Sequence, residues 1–147
     1  MAIAEYDVVI RRDAMSVYDF LLDARNLPSW RPGVRSIELE SGAAGAKGAV
    51  YRQTAAGPGG RVVCGNFEIT EARPGAEIRY TVLDGPERTR GGYYLSTEGG
   101  STRVRFAVEC EPRGLIARIK SPLCRRMKAE VSQLEQLKSV LEGPPGL

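Results

Sequence analysis

The fold of this chain is decided by residues 123–142, which read LCRRMKAEVSQLEQLKSVLE. The apolar residues of this stretch recur at steps of three and four, at Leu123, Met127, Val131, Leu134, Leu137 and Leu141. Polar residues occupy most positions between them, so the stretch predicts an amphipathic helix with one apolar side. Ser121 and Pro122 suit its first turn, and Gly143 followed by two prolines ends it. A helix of this length spans about 30 Å and needs an apolar surface to cover.

The length and composition are those of an ordinary globular chain. Its 147 residues are 42% hydrophobic and 27% charged, which favours one domain over residues 1–147 with a single core. The net charge is only +3, and the basic residues are spread over the whole sequence. Basic residues distributed in this way are typical of solvated faces, so we expect no nucleic-acid partner.

Several kinds of chemistry are disfavoured by the residue types. The chain has no histidine, which excludes imidazole as a base, proton shuttle or metal ligand. The three cysteines, Cys64, Cys110 and Cys124, show no metal-binding spacing, so we expect reduced thiols, no metal and no cofactor. The sequence has neither a membrane-span pattern nor a signal-peptide pattern, so we expect no stable membrane insertion and a cytoplasmic location.

The first thirty residues predict a strand followed by two short helices. Tyr6, Val8 and Ile10 alternate with more polar residues, as in a strand with one apolar face. Asp13 is the expected N-cap of the first helix. The prolines of the segment 27–32 are too close together for anything longer than a second short helix.

From Gly33 onward the hydrophobic period changes to two for about eighty residues, with Gly-rich and Pro-rich turns between the alternating segments. Six more strands follow, marked by Ile37 and Leu39, by residues 49–55, by residues 61–72, by Ile78, Tyr80 and Val82, by Tyr93 and Leu95, and by Val104, Phe106, Val108 and Cys110. Consecutive strands joined by short turns are antiparallel neighbours. The sequence therefore predicts an α+β fold in which the long helix covers a seven-stranded antiparallel sheet.

Several segments make the chain similar to a known family. These are Asp13 to Trp30-Arg31-Pro32, Gly85-Pro86 with Gly92-Tyr93, Ser101 to Phe106, and Leu134 to Glu142. Together they resemble the START-like (SRPBCC) superfamily of polyketide cyclases, dehydrases and lipid-transport proteins. The resemblance implies a helix-grip fold, in which a curved sheet wraps the C-terminal helix. It also implies an apolar cavity between sheet and helix for a lipid, a polyketide or a similar molecule.

Strand parity and the helical stripe together predict the residues that face this cavity. The candidate ligand-binding residues are Trp30, Tyr51, Gln53, Phe67, Tyr80, Tyr93, Phe106, Cys110, Met127 and Val131. A mostly apolar set with a few hydroxyl and amide groups is typical of a pocket for a hydrophobic ligand. The alternative is that these side chains fill a solid core.

Catalysis has weaker support in the sequence, because no Asp, Glu, Lys or Arg falls on the predicted inner face. The resemblance implies that aromatase/cyclases act through pocket Tyr, Arg and Trp groups, for which Trp30, Tyr51, Arg52, Tyr80 and Tyr93 are the candidates here. Cys110 lacks a cationic neighbour in the predicted sheet and is expected to be a packed thiol.

Three functions therefore stay open. The first is binding of a hydrophobic small molecule, and the alternative is a polyketide cyclase or dehydratase. The second alternative is a protein-interaction module that uses the basic residues around the start of the last helix, namely Arg118, Lys120, Arg125, Arg126 and Lys128.

Overall fold

The computed structural model describes residues 2–56, 59, 62–84, 87–112 and 123–143. The predicted N-cap at Ser121 and Pro122 lies outside these residues. Arg118 and Lys120 lie outside them as well. Among the basic side chains named above, the structure describes that of Lys128, which is exposed. Within the described ranges, no helix is long and apolar enough to cross a membrane.

A curved antiparallel sheet forms the body of the fold. The described strands are β1 (Ala2–Ile10), β2 (Val34–Ser41), β3 (Val50–Ala56), β4 (Val62–Cys64), β5 (Phe67–Arg73), β6 (Glu77–Val82), β7 (Glu87–Glu98) and β8 (Ser101–Pro112). Seven of them follow one another in the order β1-β8-β7-β6-β5-β3-β2, and the three-residue β4 pairs with β3. The predicted seven-stranded sheet is thus confirmed, and β4 is an eighth, short strand that pairs with β3.

The helices lie in two groups, one between β1 and β2 and one after β8. They are α1 (Ala14–Leu22), a 3₁₀ turn (Ala24–Asn26), α2 (Leu27–Trp30), α3 (Leu123–Ser132) and α4 (Leu134–Glu142). The carboxylate of Asp13 accepts a hydrogen bond from the backbone N–H of Ser16 at 3.1 Å, which confirms Asp13 as the N-cap of α1.

One predicted strand is divided in two. Residues 61–72 were expected to be continuous, but the strand is interrupted at Gly65 and Asn66. Both parts pair with β3 in the same register, as Cys64 opposite Thr54 and Phe67 opposite Tyr51 show. At the interruption the N–H of Asn66 bonds to the carboxylate of Asp84 at 3.1 Å instead of entering the sheet ladder.

The C-terminal helix is also less regular than predicted. Gln133 separates α3 from α4. Its N–H bonds to the carbonyl of Glu130 at 3.1 Å, and its own carbonyl accepts from the N–H of Gln136 at 2.8 Å. These bonds span three residues instead of four, so the chain is wound more tightly at this point.

The apolar side of this helix pair nevertheless packs as predicted. Both segments contact β1, α3 also contacts β8, and α4 contacts α2. Leu134 and Leu137 are fully buried there. The alternation of apolar residues predicts that Leu39 lies on the buried inner face of the sheet, but it is 44% exposed. Leu39 lies on β2, the edge strand, next to a register shift that ends the regular alternation.

Candidate ligand-binding site

A row of aromatic rings crosses the inner face of the sheet. It runs through Tyr51 on β3, Phe67 on β5, Tyr80 on β6, Tyr93 on β7 and Phe106 on β8. The distances between successive ring centroids are 5.4, 5.8, 6.3 and 4.6 Å, within the range of aromatic packing. Each ring comes from a neighbouring strand along the path, as the alternation in the sequence predicts.

Trp30 closes one end of this row from the helical side. Its ring lies 6.0 Å from the ring of Tyr93 and 6.3 Å from that of Phe106, and both contacts are edge-on. Trp30 is the single tryptophan of the chain, and its side chain is buried. It is therefore a natural fluorescence reporter for events near Tyr93.

Next to this row lies a cavity of about 150 Å³. Its described wall residues come from the first helical segments, from β3 and β5 to β7, from the break before β5, and from α3. They are Leu21, Leu22, Ala24, Leu27, Arg31, Gln53, Gly65, Phe67, Ile69, Ile78, Tyr80, Val82, Tyr93 and Glu130. The cavity was expected between the sheet and the C-terminal helix. Among the described residues α3 contributes Glu130 to the wall, and the other helical wall residues come from the first helical segments.

Two small residues belong to the cavity wall. They are Ala24 and Gly65. A third small residue, Gly91, leaves room for the ring of Tyr80, which it faces across the β6–β7 ladder. A Cβ atom at Gly91 would lie 2.3 Å from Cζ and from the hydroxyl oxygen of Tyr80. The missing side chain therefore lets the tyrosine ring lie directly against the strand.

An ion pair lies in the cavity wall. Nη2 of Arg31 donates to Oε1 of Glu130 at 2.6 Å, and Nε of Arg31 donates to Oε1 of Gln133 at 3.2 Å. Proline at position 32 disfavours helical backbone at Arg31. Arg31 accordingly has extended dihedral angles, φ −111° and ψ 93°, at the end of α2. The side chain leaves the helix at this point and reaches the junction of α3 and α4.

The surroundings of this pair shift several pKa values. Burial alone would lower the pKa of Arg31, but the Glu130 carboxylate and the phenols of Tyr93 and Tyr80 outweigh it, so the pKa is raised. Burial raises the pKa of Tyr80, and the Glu130 charge raises it further, against the influence of Arg31. Burial also raises the pKa of Tyr93, although Arg31 acts in the opposite direction. At neutral pH the arginine is charged and both phenols are protonated.

Four of the ten candidate residues lie in the cavity wall, namely Gln53, Phe67, Tyr80 and Tyr93. Their role in ligand binding stays a prediction. The other six lie elsewhere. Trp30 and Phe106 pack behind Tyr93. The hydroxyl of Tyr51 accepts from the N–H of Gly45 at 2.9 Å, at an outer depression of the surface.

The remaining three candidates are buried away from the cavity. Cys110 lies at the end of β8 beside β1, with its Sγ 3.5 Å from Oγ1 of Thr89. Met127 and Val131 belong to the apolar stripe of α3, which packs on β1 and β8. The stripe faces β1 and β8, whereas the strand residues of the cavity wall come from β3 and from β5 to β7. For this reason the stripe supplies core residues and the polar flank of the helix supplies Glu130.

Sequence reasoning missed the charged groups of the cavity. It placed no acidic or basic side chain there, and Arg31 and Glu130 correct this expectation. A partial signal was present in the Arg31-Pro32 pair, because proline at position 32 ends the helix at Arg31. Arg52 of β3, the arginine that the sequence offers as a catalytic candidate, is exposed. Its Nη2 atom lies 3.3 Å from Oε1 of Glu40.

Large exposed apolar side chains are distributed over the surface. Among the described residues they are Ile3, Met15, Leu39, Val62, Leu83 and Val140, which come from six different segments. This distribution adds no support to the hypothesis of a protein-interaction module.

The curved sheet, the short opening helices and the C-terminal helix define a START-like helix-grip fold. The chain belongs to the family described as polyketide cyclase / dehydrase and lipid transport, whose model matches residues 1–142. The comparison with curated protein sequences finds no match.

Solved structures share the fold at low sequence identity. A START superfamily protein from Mycobacterium smegmatis superposes with a TM-score of 0.78 at 13% identity, covering 97% of this chain and 98% of that one. Ginseng major latex-like protein 151 from Panax ginseng gives 0.77 at 15% identity, with the same coverage. The di-domain ARO/CYC BexL from the BE-7585A biosynthetic pathway gives 0.68 at 16% identity, covering 97% of this chain and 45% of that one.

Proposed function

We propose that this protein binds a hydrophobic small molecule in the cavity between its first helices and strands β5 to β7. The observation that carries this proposal is a partly open cavity of about 150 Å³ with apolar walls and a polar end. The apolar part is formed by residues such as Leu27, Ile69 and Val82. The polar end contains Arg31 and Glu130. A few polar groups in an apolar pocket fix the orientation of a ligand, which is the usual design of a binding site.

A variant that fills the cavity tests this function. We expect Val82→Phe to occupy part of the space at the cavity wall. Val62→Phe is the matched control, because Val62 is also a strand residue and its side chain is 56% exposed. Both variants and the wild-type protein are incubated with a mixture of small hydrophobic compounds, and the retained compounds are identified by native mass spectrometry.

We expect the wild-type protein and Val62→Phe to retain the same compounds and Val82→Phe to lose them. Thermal melting of each variant establishes that it is folded. Retention of nothing by the wild-type protein, or equal retention by all three, would contradict a binding function for this cavity.

A second function, that of a cyclase or dehydratase, is favoured by the Arg31–Glu130 pair. A carboxylate can remove a proton from a carbon next to a carbonyl group, and the arginine and phenol groups can stabilise the resulting enolate oxygen. Here Glu130 is the candidate base. Arg31, Tyr80 and Tyr93 are the candidate donors, because all three lie in the same cavity wall.

Hydrogen exchange at carbon tests this chemistry without knowledge of the natural substrate. Acetophenone is incubated with the protein in D₂O, and deuterium incorporation into its methyl group is followed by NMR. We expect exchange above the buffer rate with the wild-type protein and with Glu98→Gln, a surface control, and the buffer rate with Glu130→Gln. A wild-type rate equal to that of buffer would rule this activity out for aryl ketones.

A further inference from the structure

We infer that the ligand of this cavity is a neutral, single-ring compound that carries a carbonyl or phenolic oxygen. This inference rests on the proposed binding function and narrows its ligand class. Three properties of the site support it: the size of the cavity, the charge balance of its polar end, and the hydrogen-bonding groups found there.

The cavity volume sets the size of the ligand. A dry apolar cavity of about 150 Å³ holds one benzene-sized molecule in a protein interior. The space found here has the same volume. A long acyl chain or a system of several fused rings needs considerably more room and would have to extend through the open side of the cavity. The walls also suit an aromatic ring. The rings of Phe67 and Tyr80 line the space at a mutual angle of 63°, and aromatic ligands pack well against such rings.

The charge balance favours a neutral ligand. Arg31 and Glu130 neutralise each other at 2.6 Å, and their side chains are only 15% and 30% exposed. The phenols of Tyr80 and Tyr93 add no charge while they are protonated. A carboxylate ligand would approach Glu130, and an ammonium ligand would approach Arg31. In a poorly solvated site either charge would be left without a counterion, which is costly.

The hydrogen-bonding groups specify an oxygen atom. The cavity wall contains the hydroxyl groups of Tyr80 and Tyr93 and the guanidinium of Arg31, all of which donate. Arg31 uses two of its five N–H groups for Glu130 and Gln133 and also hydrogen-bonds the Tyr93 hydroxyl, so further N–H groups can serve a ligand. A carbonyl oxygen accepts from these donors. A phenol accepts in the same way and can also donate to Glu130.

A set of related probes tests the class. Acetophenone and p-cresol have one ring and one oxygen, toluene lacks the oxygen, and benzoate carries a charge. 2-Acetylnaphthalene adds a second ring, and palmitate represents lipids. Binding is measured by calorimetry and by the fluorescence of Trp30, which lies 6.0 Å from Tyr93. We expect acetophenone and p-cresol to bind at least tenfold more tightly than each of the other four probes.

Two tyrosine variants test the role of the hydroxyl groups. Tyr80→Phe removes a hydroxyl from the cavity and should weaken acetophenone binding by roughly five- to tenfold while toluene binding is unchanged. Tyr51→Phe is the matched control, because its hydroxyl is bound to the N–H of Gly45 and Tyr51 is not part of the cavity wall. We expect acetophenone binding to be unchanged in this control.

The outcomes separate the ligand class from the binding function. If palmitate or 2-acetylnaphthalene binds most tightly and Val82→Phe abolishes that binding, the inference on ligand class is wrong and the binding function stands. The class is also wrong if benzoate or toluene equals acetophenone. If no probe binds and the wild-type protein retains nothing from the compound mixture, the binding function itself is wrong.

Discussion

The guanidinium of Arg31 lies 2.6 Å from the carboxylate of Glu130, although the two residues are 99 positions apart in the sequence. Arg31 follows α2, and Glu130 belongs to the last turn of α3. The pair therefore joins the opening helices to the C-terminal helix across the cavity. The same guanidinium holds Gln133, the residue between α3 and α4. A single side chain thus fixes one end of the cavity and the junction of the two helices.

Loss of this pair should destabilise the protein. Glu130→Gln keeps the shape of the side chain and removes its charge, so the largely buried Arg31 loses its counterion. Charge-assisted hydrogen bonds of this kind contribute about 1.5–3 kcal/mol, and a buried charge without a partner is costly. We expect the free energy of unfolding to fall by about 1–3 kcal/mol, measured by urea denaturation at pH 7.

The control for this variant is Glu98→Gln. Glu98 pairs with Arg103 at 2.7 Å on the surface, where both side chains are more than 40% exposed. We expect little or no measurable change in the unfolding of this control. A double variant that also carries Arg31→Met should show coupling between the two positions. Equal effects of Glu130→Gln and Glu98→Gln would mean that the pair in the cavity contributes no more than a surface pair.

Stability at alkaline pH should depend on the two cavity tyrosines. Folding raises the pKa of Tyr80 and of Tyr93 above the usual value of 10.0, mainly through burial. Above pH 10 the unfolded chain therefore loses phenol protons that the folded protein retains, so stability falls as pH rises. Each tyrosine contributes a slope of up to about 1.4 kcal/mol per pH unit. Urea denaturation between pH 9 and pH 11 measures this slope.

The double variant Tyr80→Phe/Tyr93→Phe is the comparison for this pH effect. Its stability should fall less steeply above pH 10 than that of the wild-type protein. Some slope will be left, because the pKa values of Tyr6 and Tyr18 are also raised. The explanation by burial would have to be abandoned if the two slopes were the same.

The fold and the aromatic row could be predicted because they depend on local periodicity. Alternation along each strand determines which side chains share a face, and this placed Phe67, Tyr80, Tyr93 and Phe106 correctly on the inner side. The position of the cavity could not be predicted in this way. It depends on which elements fail to fill a space, and this is decided only in the assembled fold.

The charged pair was missed for a different physical reason. The polar side of an amphipathic helix was taken to face water throughout. Glu130 lies on that side, but α3 packs over β1 and β8 so that one polar flank meets Arg31. The break at Gln133 was missed as well, because neither glycine nor proline marks it in the sequence. Both features result from tertiary contacts between distant segments.

The apolar stripe of the C-terminal helices should matter for stability more than for ligand binding. Leu137 is fully buried and lies outside the cavity wall, so Leu137→Ala should lower the free energy of unfolding by about 2–5 kcal/mol. Met127 was expected in the cavity wall, but it is packed in the core, and Met127→Trp should cost about 1–3 kcal/mol through overpacking. Probe affinity, measured well below the melting temperature, should change in neither folded variant. A selective loss of affinity in Met127→Trp would return this residue to the binding site.

Gly91 should control the position of the Tyr80 ring. In Gly91→Ala the added Cβ would lie 2.3 Å from the hydroxyl oxygen and from Cζ of Tyr80, so the ring has to move away from β7. Because this ring forms part of the cavity wall, its displacement should weaken acetophenone binding at least tenfold and change the fluorescence of Trp30. Gly100→Ala is the matched control, since its added Cβ meets no atom within 4 Å. If Gly91→Ala binds acetophenone as well as Gly100→Ala does, the ring of Tyr80 is not a fixed wall of the binding site, and the donors that orient the ligand must be sought at Arg31 and Tyr93.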